Sequence, residues 1–481
     1  MTSPVGSALA RRRGTAGAAH VAPADPPRPL LPTATQLRRA VDATGVLSLF
    51  VVLLFALPSR GGVPGLGAAG RPAFLLAGGA LVWWAVSRAI VPFATRGRQP
   101  LRFVLLGSFL AIACAYAAGA ARALPGNEQR SADRVLLANV ALAGVALLAM
   151  DGIRDRDRLQ ALLRRIGYLG VLVAAVGSLQ FLFEIDLNPK LLLPPLVLNA
   201  DLLEAGTRPG TDLLRVTGTT AHYIEFGVVL TMIMPVTMHL ALFAHRRGRR
   251  LAWWASTLFI AGASTFSLSR SGTIGLVLVM VVVVLSWRPR YQWRAAVVGV
   301  LALAVFRALV PGLLGTLKGL VTNFGQDSSV DARTLDYARV ADYVAERPLF
   351  GRGAGTFLPE NYFFLDNQFL LTTLEGGLVG LGGLLLLFAG SYAVGRSVRF
   401  GPGDEETRHL GQALCASVAI GFVVCATFDA MSFLSFAGLL YLLVGVLGAL
   451  WRLQREPGPG RVLPAPLLHA RSRRSRVLPD A

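Results

Sequence analysis

Apolar residues in this chain fall in long blocks, not in the alternation of a half-buried strand or the single stripe of a soluble helix. A helix rises about 1.5 Å per residue, so crossing about 30 Å of hydrocarbon takes about 20 apolar residues. By that ruler there are twelve spans, near residues 41–58, 73–92, 102–120, 135–150, 166–184, 224–244, 251–268, 271–287, 293–313, 367–395, 410–428 and 431–451, the first and fourth being short. The pattern predicts an all-α, polytopic membrane protein of about 12 transmembrane helices, because helices satisfy their own backbone groups in lipid. Two connections are long, about 186–223 and 316–366, and long loops in compact proteins tend to carry function. Within the second, Leu335, Val340, Tyr343 and Val344 share one side of a 3.6-residue repeat, with Arg333, Asp336, Arg339, Asp342 and Glu346 around the remainder. An amphipathic helix of about 14 residues is expected there, ended by Pro348.

Composition narrows the class. Of 481 residues 54% are hydrophobic and 15% charged, too few charges for a soluble chain and too many apolar residues for a disordered one. All three cysteines lie inside apolar runs, which excludes a disulfide scaffold. The net charge of +20 would suggest nucleic acid in a soluble protein. With the N-terminus placed inside, however, 31 of the 47 basic residues fall in inner segments and 14 in outer ones. That is the positive-inside distribution, so the surplus reads as an orientation signal with affinity for anionic membrane lipids, and no nucleic-acid partner is expected. The expected organisation is a basic cytoplasmic tail over 1–40, a transmembrane domain over 41–451 and a second basic cytoplasmic tail over 452–481. The protein is thus expected in the cytoplasmic (inner) membrane, multi-pass, with both termini inside.

Candidate chemistry collects on the outward side. The first long loop ends in Arg215-Val-Thr-Gly-Thr-Thr-Ala-His222-Tyr-Ile-Glu225-Phe-Gly, and Ser267-Leu-Ser-Arg270-Ser-Gly272 makes a turn between the seventh and eighth spans. Arg215, Arg270, Arg333 and Arg352 are four outward guanidiniums, and guanidinium binds phosphate oxygens bidentately. Gly351-Arg352-Gly353-Ala354-Gly355 could bring backbone amides to a phosphate, or be a flexible turn returning the chain to the membrane. Asp366 and Asn367 open the tenth span, Glu375 lies about two turns deeper, and Asp429 sits in a short outer turn. An ionisable group inside a span is a functional candidate by default. Glu375 also fits a structural acid pinning two helices, and Asp429 a simple interfacial residue.

In order, RVTGTTAHYIEFG, the SLSRSG turn, ERPLFGRGAGTF and DNQFLLTTLEGGLVGL resemble the O-antigen ligase and polymerase superfamily over roughly residues 210–395. The resemblance implies transfer of a glycan from an undecaprenyl-pyrophosphate carrier to a hydroxyl of an acceptor glycan or glycolipid, at the outer face of the cytoplasmic membrane, in cell-surface polysaccharide biosynthesis. It also implies other polysaccharide-assembly membrane proteins as partners, and neither a cofactor nor a metal. Arg215, Arg270 and Arg333 match family positions that hold the pyrophosphate. The family's ligases carry His before the Asn of the last block, as the base that activates the acceptor; here Asp366 stands there. Asp366 is therefore the preferred base, His222 its rival, and polymerase is favoured over ligase. A transporter or flippase is the alternative, since twelve spans with both ends inside is also a carrier layout. A transferase should gather Arg215, Arg270, Arg333 and Asp366 at one outward cavity open sideways to lipid.

Overall fold

The computed structural model describes residues 42–90, 99–198, 207, 213–309 and 328–455. The expected tail over 1–40, all but the first four residues of the one over 452–481, and parts of both long loops lie outside the described residues.

A helix occupies each of the twelve apolar blocks: α1 (Ala43–Phe55), α2 (Pro72–Ile90), α3 (Pro100–Ala120), α4 (Gly126–Gly152), α5 (Arg156–Phe183), α6 (Tyr223–Leu242), α7 (Arg247–Thr265), α8 (Arg270–Val282), α9 (Pro289–Leu309) and, after the amphipathic α10 (Ser328–Glu346), α11 (Gln368–Arg399), α12 (Glu405–Val424) and α13 (Leu434–Arg455). Among the described residues eight of these, α2 to α6 and α11 to α13, are long and apolar enough to cross a membrane, while α1 and the run from α8 to Ser286 are shorter apolar helices. The protein is an all-α, polytopic membrane protein. Helix α4 begins well before the expected 135, because Glu128, Arg130, Asp133 and Arg134 continue the helix rather than precede it.

Two kinds of apolar helix are present. Helices α6, α12 and α13 are enclosed by neighbours, whereas α2 and α3 leave most of their surface uncovered. A helix that is apolar all round suits either a core or a lipid face, so composition alone does not separate them. α11 packs along α3, α13 and α2 flank α4, and α6 lies against α7, α8 and α12. Two-residue strands β1 (Gly61–Gly62) and β2 (Val197–Leu198) pair antiparallel, tying the α1–α2 loop to the loop before α6.

The ends of the bundle are held by polar contacts. At one end Asp151 accepts from Arg102 at 2.5 Å and Trp84 at 2.9 Å, and Arg156 pairs with Asp404 at 2.9 Å. The opposite end, where α6, α8, α11 and α13 begin and α12 finishes, carries the candidate residues. α10 runs five residues longer than expected and stops at Glu346, two residues before Pro348. Its Val340, with Tyr343 and Val344 beside it, packs against Phe357, Leu365 and Leu374, so this apolar face docks onto the start of α11.

Candidate functional site

The short turn from α12 to α13, residues 425–433, organises this end of the molecule. Asn367 caps α11, its side chain accepting from the amides of Phe369 (3.0 Å) and Leu370 (3.2 Å), which satisfies donors that a helix start leaves open. The next residue, Gln368, clamps α11 to the turn: its amide donates to Cys425 O at 2.8 Å and its Oε1 accepts from Met431 N at 2.8 Å. Ser269 caps α8 by accepting from Gly272 N at 3.0 Å. Ser271 and Thr427 share a hydroxyl hydrogen bond of 2.7 Å, fastening the start of α8 to the same turn. Arg270, the first residue of α8, and Asp366, just ahead of α11, are therefore brought to one turn from positions 96 residues apart in sequence.

Asp429 sits in the middle of that turn. Burial pushes its carboxyl up to about 7, against a hydrogen bond with Ser432, and the negative charges of Asp366 and Glu225 add to the rise. It is half-buried, close enough to Asp366 and Glu225 for their charges to act on it. Asp366 itself is exposed.

On the other flank the loop before α6 is locked by its own polar side chains. Thr219 Oγ1 donates to Phe55 O at 2.7 Å, Gln180 accepts from Gly218 N at 2.7 Å, and Arg60 donates to Ala221 O from Nη2 at 3.0 Å. Glu225, fully buried, accepts from Ala221 N at 2.8 Å, Ser435 N at 2.8 Å and Phe436 N at 3.0 Å. One carboxylate thus joins the α6 start to the α13 start, satisfying amides at both. His222 is the α6 N-cap, with Nδ1 accepting from Ile224 N at 3.4 Å, and its ring lies 5.6 Å from that of Phe433. Burial first, then the charges of Arg60 and Arg215, push the imidazole down to about 4. Arg215 donates to the Tyr223 hydroxyl at 2.8 Å and lies over that ring at 4.5 Å. Arg215 and His222 therefore stand together, next to Phe433 at the far end of the 425–433 turn.

The glycine-rich stretch has a different use. Arg352 N donates to Leu374 O at 3.0 Å, Gly353 N to Glu375 O at 2.8 Å, and Leu378 N and Val379 N donate back to Pro348 O (2.8 Å) and Leu349 O (3.0 Å). Residues 348–357 are strapped onto α11, which is broken at Gly377 (φ 60°, ψ −159°). A Cβ on Gly351 would lie 2.4 Å from the Glu375 carbonyl carbon, and one on Gly377 2.4 Å from that of Leu349. Of the two uses open for this stretch, the structure shows a packed turn, with the amides of Arg352 and Gly353 spent on α11. The Glu375 carboxylate holds the same strap, accepting from Phe357 N at 3.1 Å and from the Gly355 amide. Arg352 turns into this local structure: it donates to the Tyr362 hydroxyl at 2.7 Å and stacks over Tyr362 and Tyr343, while Tyr362 donates to Glu128 at 2.9 Å. Its side chain thus meets Tyr343 on α10 and Tyr362, which in turn reaches Glu128 on α4, rather than the Arg215 and Arg270 groups. Arg333 lies on α10, with its side chain outside the described residues.

Sequence reasoning did not single out Arg60 or Glu225 as site-forming. Their signal was weak: Glu225 follows a possible cap by three residues, a helix-start pattern that explains it locally, and its second partner lies 210 residues away.

Residues 255–385 match the family model described as O-antigen ligase. The chain carries an O-antigen ligase domain. This O-antigen ligase domain runs from within α7 to within α11 and includes Arg270, Arg333, Arg352, Asp366, Asn367 and Glu375; Arg215, His222 and Asp429 lie outside it. No curated protein matches the chain. Together the O-antigen ligase domain and the apolar helices mark a multi-pass membrane protein with an O-antigen ligase or polymerase role in polysaccharide biosynthesis.

Proposed function

We propose that the protein transfers or polymerises oligosaccharide from an undecaprenyl-pyrophosphate carrier onto an acceptor sugar hydroxyl, at the outer face of the cytoplasmic membrane. The acceptor oxygen attacks the anomeric carbon and the bond from that carbon to the pyrophosphate breaks with inversion. The hydroxyl proton passes to a carboxylate, and the lipid pyrophosphate leaves as an anion. Arg215, Arg270 and Arg333 hold that anion, and fixed guanidiniums stabilise the charge it gains in the transition state.

The observation that carries this reading is the 425–433 turn, which fastens the Arg270 and Asp366 helices together and abuts the His222 and Arg215 loop. Asp366 is the base. His222 is poorly suited: its Nδ1 is occupied as a cap acceptor, so in the neutral ring the other nitrogen already carries the proton, and at about 4 its basicity is low. Asp429 lies beside Asp366 and holds a proton more readily than an ordinary aspartate, which suits a second carboxyl that takes the proton onward. Aspartate in place of the ligase histidine supports polymerase over ligase.

Expression of variants in a deletion strain, with lipid-linked and polymeric glycans resolved by gel and mass, tests the reading. Asp366→Asn should abolish chain growth, and Arg270→Ala should lower it by about 100-fold or more, the usual cost of one such donor. Polymer of normal length from Asp366→Asn would remove Asp366 from the mechanism. Loss of polymer accompanied by unprocessed single repeat units on the lipid would support polymerase.

A further inference from the structure

Gln368, the first residue of α11, is a buried polar side chain two residues after Asp366. Its bonds reach the 425–433 turn on both sides of Asp429. The backbone amide donates to Cys425 O at 2.8 Å and to Phe428 O at 3.2 Å, and Oε1 accepts from Met431 N at 2.8 Å. Nε2 donates to Thr372 Oγ1 at 2.9 Å, one turn along the same helix. The orientation of the side-chain amide follows from its partners: a backbone N–H only donates, so Met431 must face the oxygen.

Starting α11 does not need this side chain. The amides of Phe369 and Leu370 go to Asn367 Oδ1 and that of Leu371 to Asn367 O, which leaves the Gln368 amide for carbonyls at and beyond the end of α12, where a helix leaves acceptors open. What the side chain adds is a fixed spacing between α11 and the turn. Phe428 O and Met431 N lie on either side of Asp429, whose carboxyl is close enough to Asp366 to feel its charge. An apolar side chain of equal length would fill the same space but leave Met431 N unpaired, and an asparagine would fall one methylene short.

We propose that Gln368 is a positioning residue for the transfer: by gripping the turn on both sides of Asp429 it holds that carboxyl beside Asp366. The proton that Asp366 takes from the acceptor hydroxyl then moves to the Asp429 carboxylate and on to water, which returns Asp366 to its carboxylate form. The inference rests on Asp366 as the base and deepens that reading, by naming what sets the spacing of the two acids.

The test uses membranes of the deletion strain carrying each full-length variant, with lipid-linked glycan extracted from that strain as donor. The rate of chain growth is read against donor concentration and against pH. Asp429 receives the proton only when ionised, so the wild-type rate should rise with pH through about 7. Gln368→Met should lower the maximal rate by about 10- to 100-fold, the scale of a misplacement of about 1 Å, with the half-saturating donor concentration unchanged. It should also move the rise to lower pH, because a loosened Asp429 behaves as an ordinary solvated carboxyl. Gln368→Glu, which keeps the reach and the acceptor for Met431 N, should recover most of the rate. Gln368→Asn should fall between the two, and it replaces Gln368→Met where that variant does not fold. A lower melting temperature of Gln368→Met with a wild-type maximal rate and pH profile would overturn the inference, since Gln368 would then only staple two helices. A Gln368→Glu protein no faster than Gln368→Met would overturn it too. Normal chain growth by Asp366→Asn, run alongside, would instead remove the base assignment beneath it.

Discussion

Asp429 shows how a residue's surroundings can matter more than its type. Its carboxyl titrates near neutrality because burial disfavours the charged form and Asp366 and Glu225 repel it. Since the folded value lies above the unfolded one of about 3.9, the native state binds the extra proton between about 4 and 7. Stability therefore falls as pH rises through that window and the penalty is complete above it. Asp429→Asn should flatten that fall, so thermal melts of the purified protein should show the variant gaining on the wild type at pH 8 relative to pH 5. An identical pH dependence of the two proteins would mean that the turn does not bury Asp429. Arg270 and Asp366 could be singled out from sequence because each sits in a short motif at a span end. Asp429 could be named as a candidate too, but not its surroundings, because its two acidic neighbours come from segments that are remote in sequence.

At the scale of elements, the broken helix α11 and the strap over residues 348–357 form one device. The glycines of residues 351–355 suggested a phosphate cradle as readily as a turn, and only their crossing with α11 decides: Gly351 stands against Glu375 and Gly377 against Leu349 at distances no Cβ tolerates. Both also have φ near +60°, at 66° and 60°. Gly351→Ala and Gly377→Ala should each cost about 1–3 kcal/mol from backbone strain alone, seen as lower melting temperatures in detergent. Glu375→Ala should destabilise more than Glu375→Gln, because glutamine keeps one acceptor for the Phe357 and Gly355 amides, and an unpaired buried amide costs about 1–3 kcal/mol. Equal melting of the two Glu375 variants would show that the carboxylate does not hold the strap. The amphipathic helix α10 was legible from its repeat, since Val340, Tyr343 and Val344 face the apolar cluster they were expected to need.

For the whole molecule, the orientation proposed from the basic residues puts the candidate site outside. With Cys114→Ser as background, since that thiol is exposed while Cys415 and Cys425 are buried, a membrane-impermeant maleimide should label Phe364→Cys in intact cells. Arg247→Cys should react only after permeabilisation, and the reverse result would invert the topology. Sequence alone determined the membrane class, the twelve apolar helical blocks and the motifs of the O-antigen ligase domain, because hydrophobic length and local spacing are properties of contiguous residues. Only the tertiary structure decided which apolar helices are core, which described segments meet at the 425–433 turn, and where the glycine-rich stretch goes. Those outcomes depend on contacts such as Glu225 with Ser435 or Arg352 with Leu374, whose partners no local pattern names.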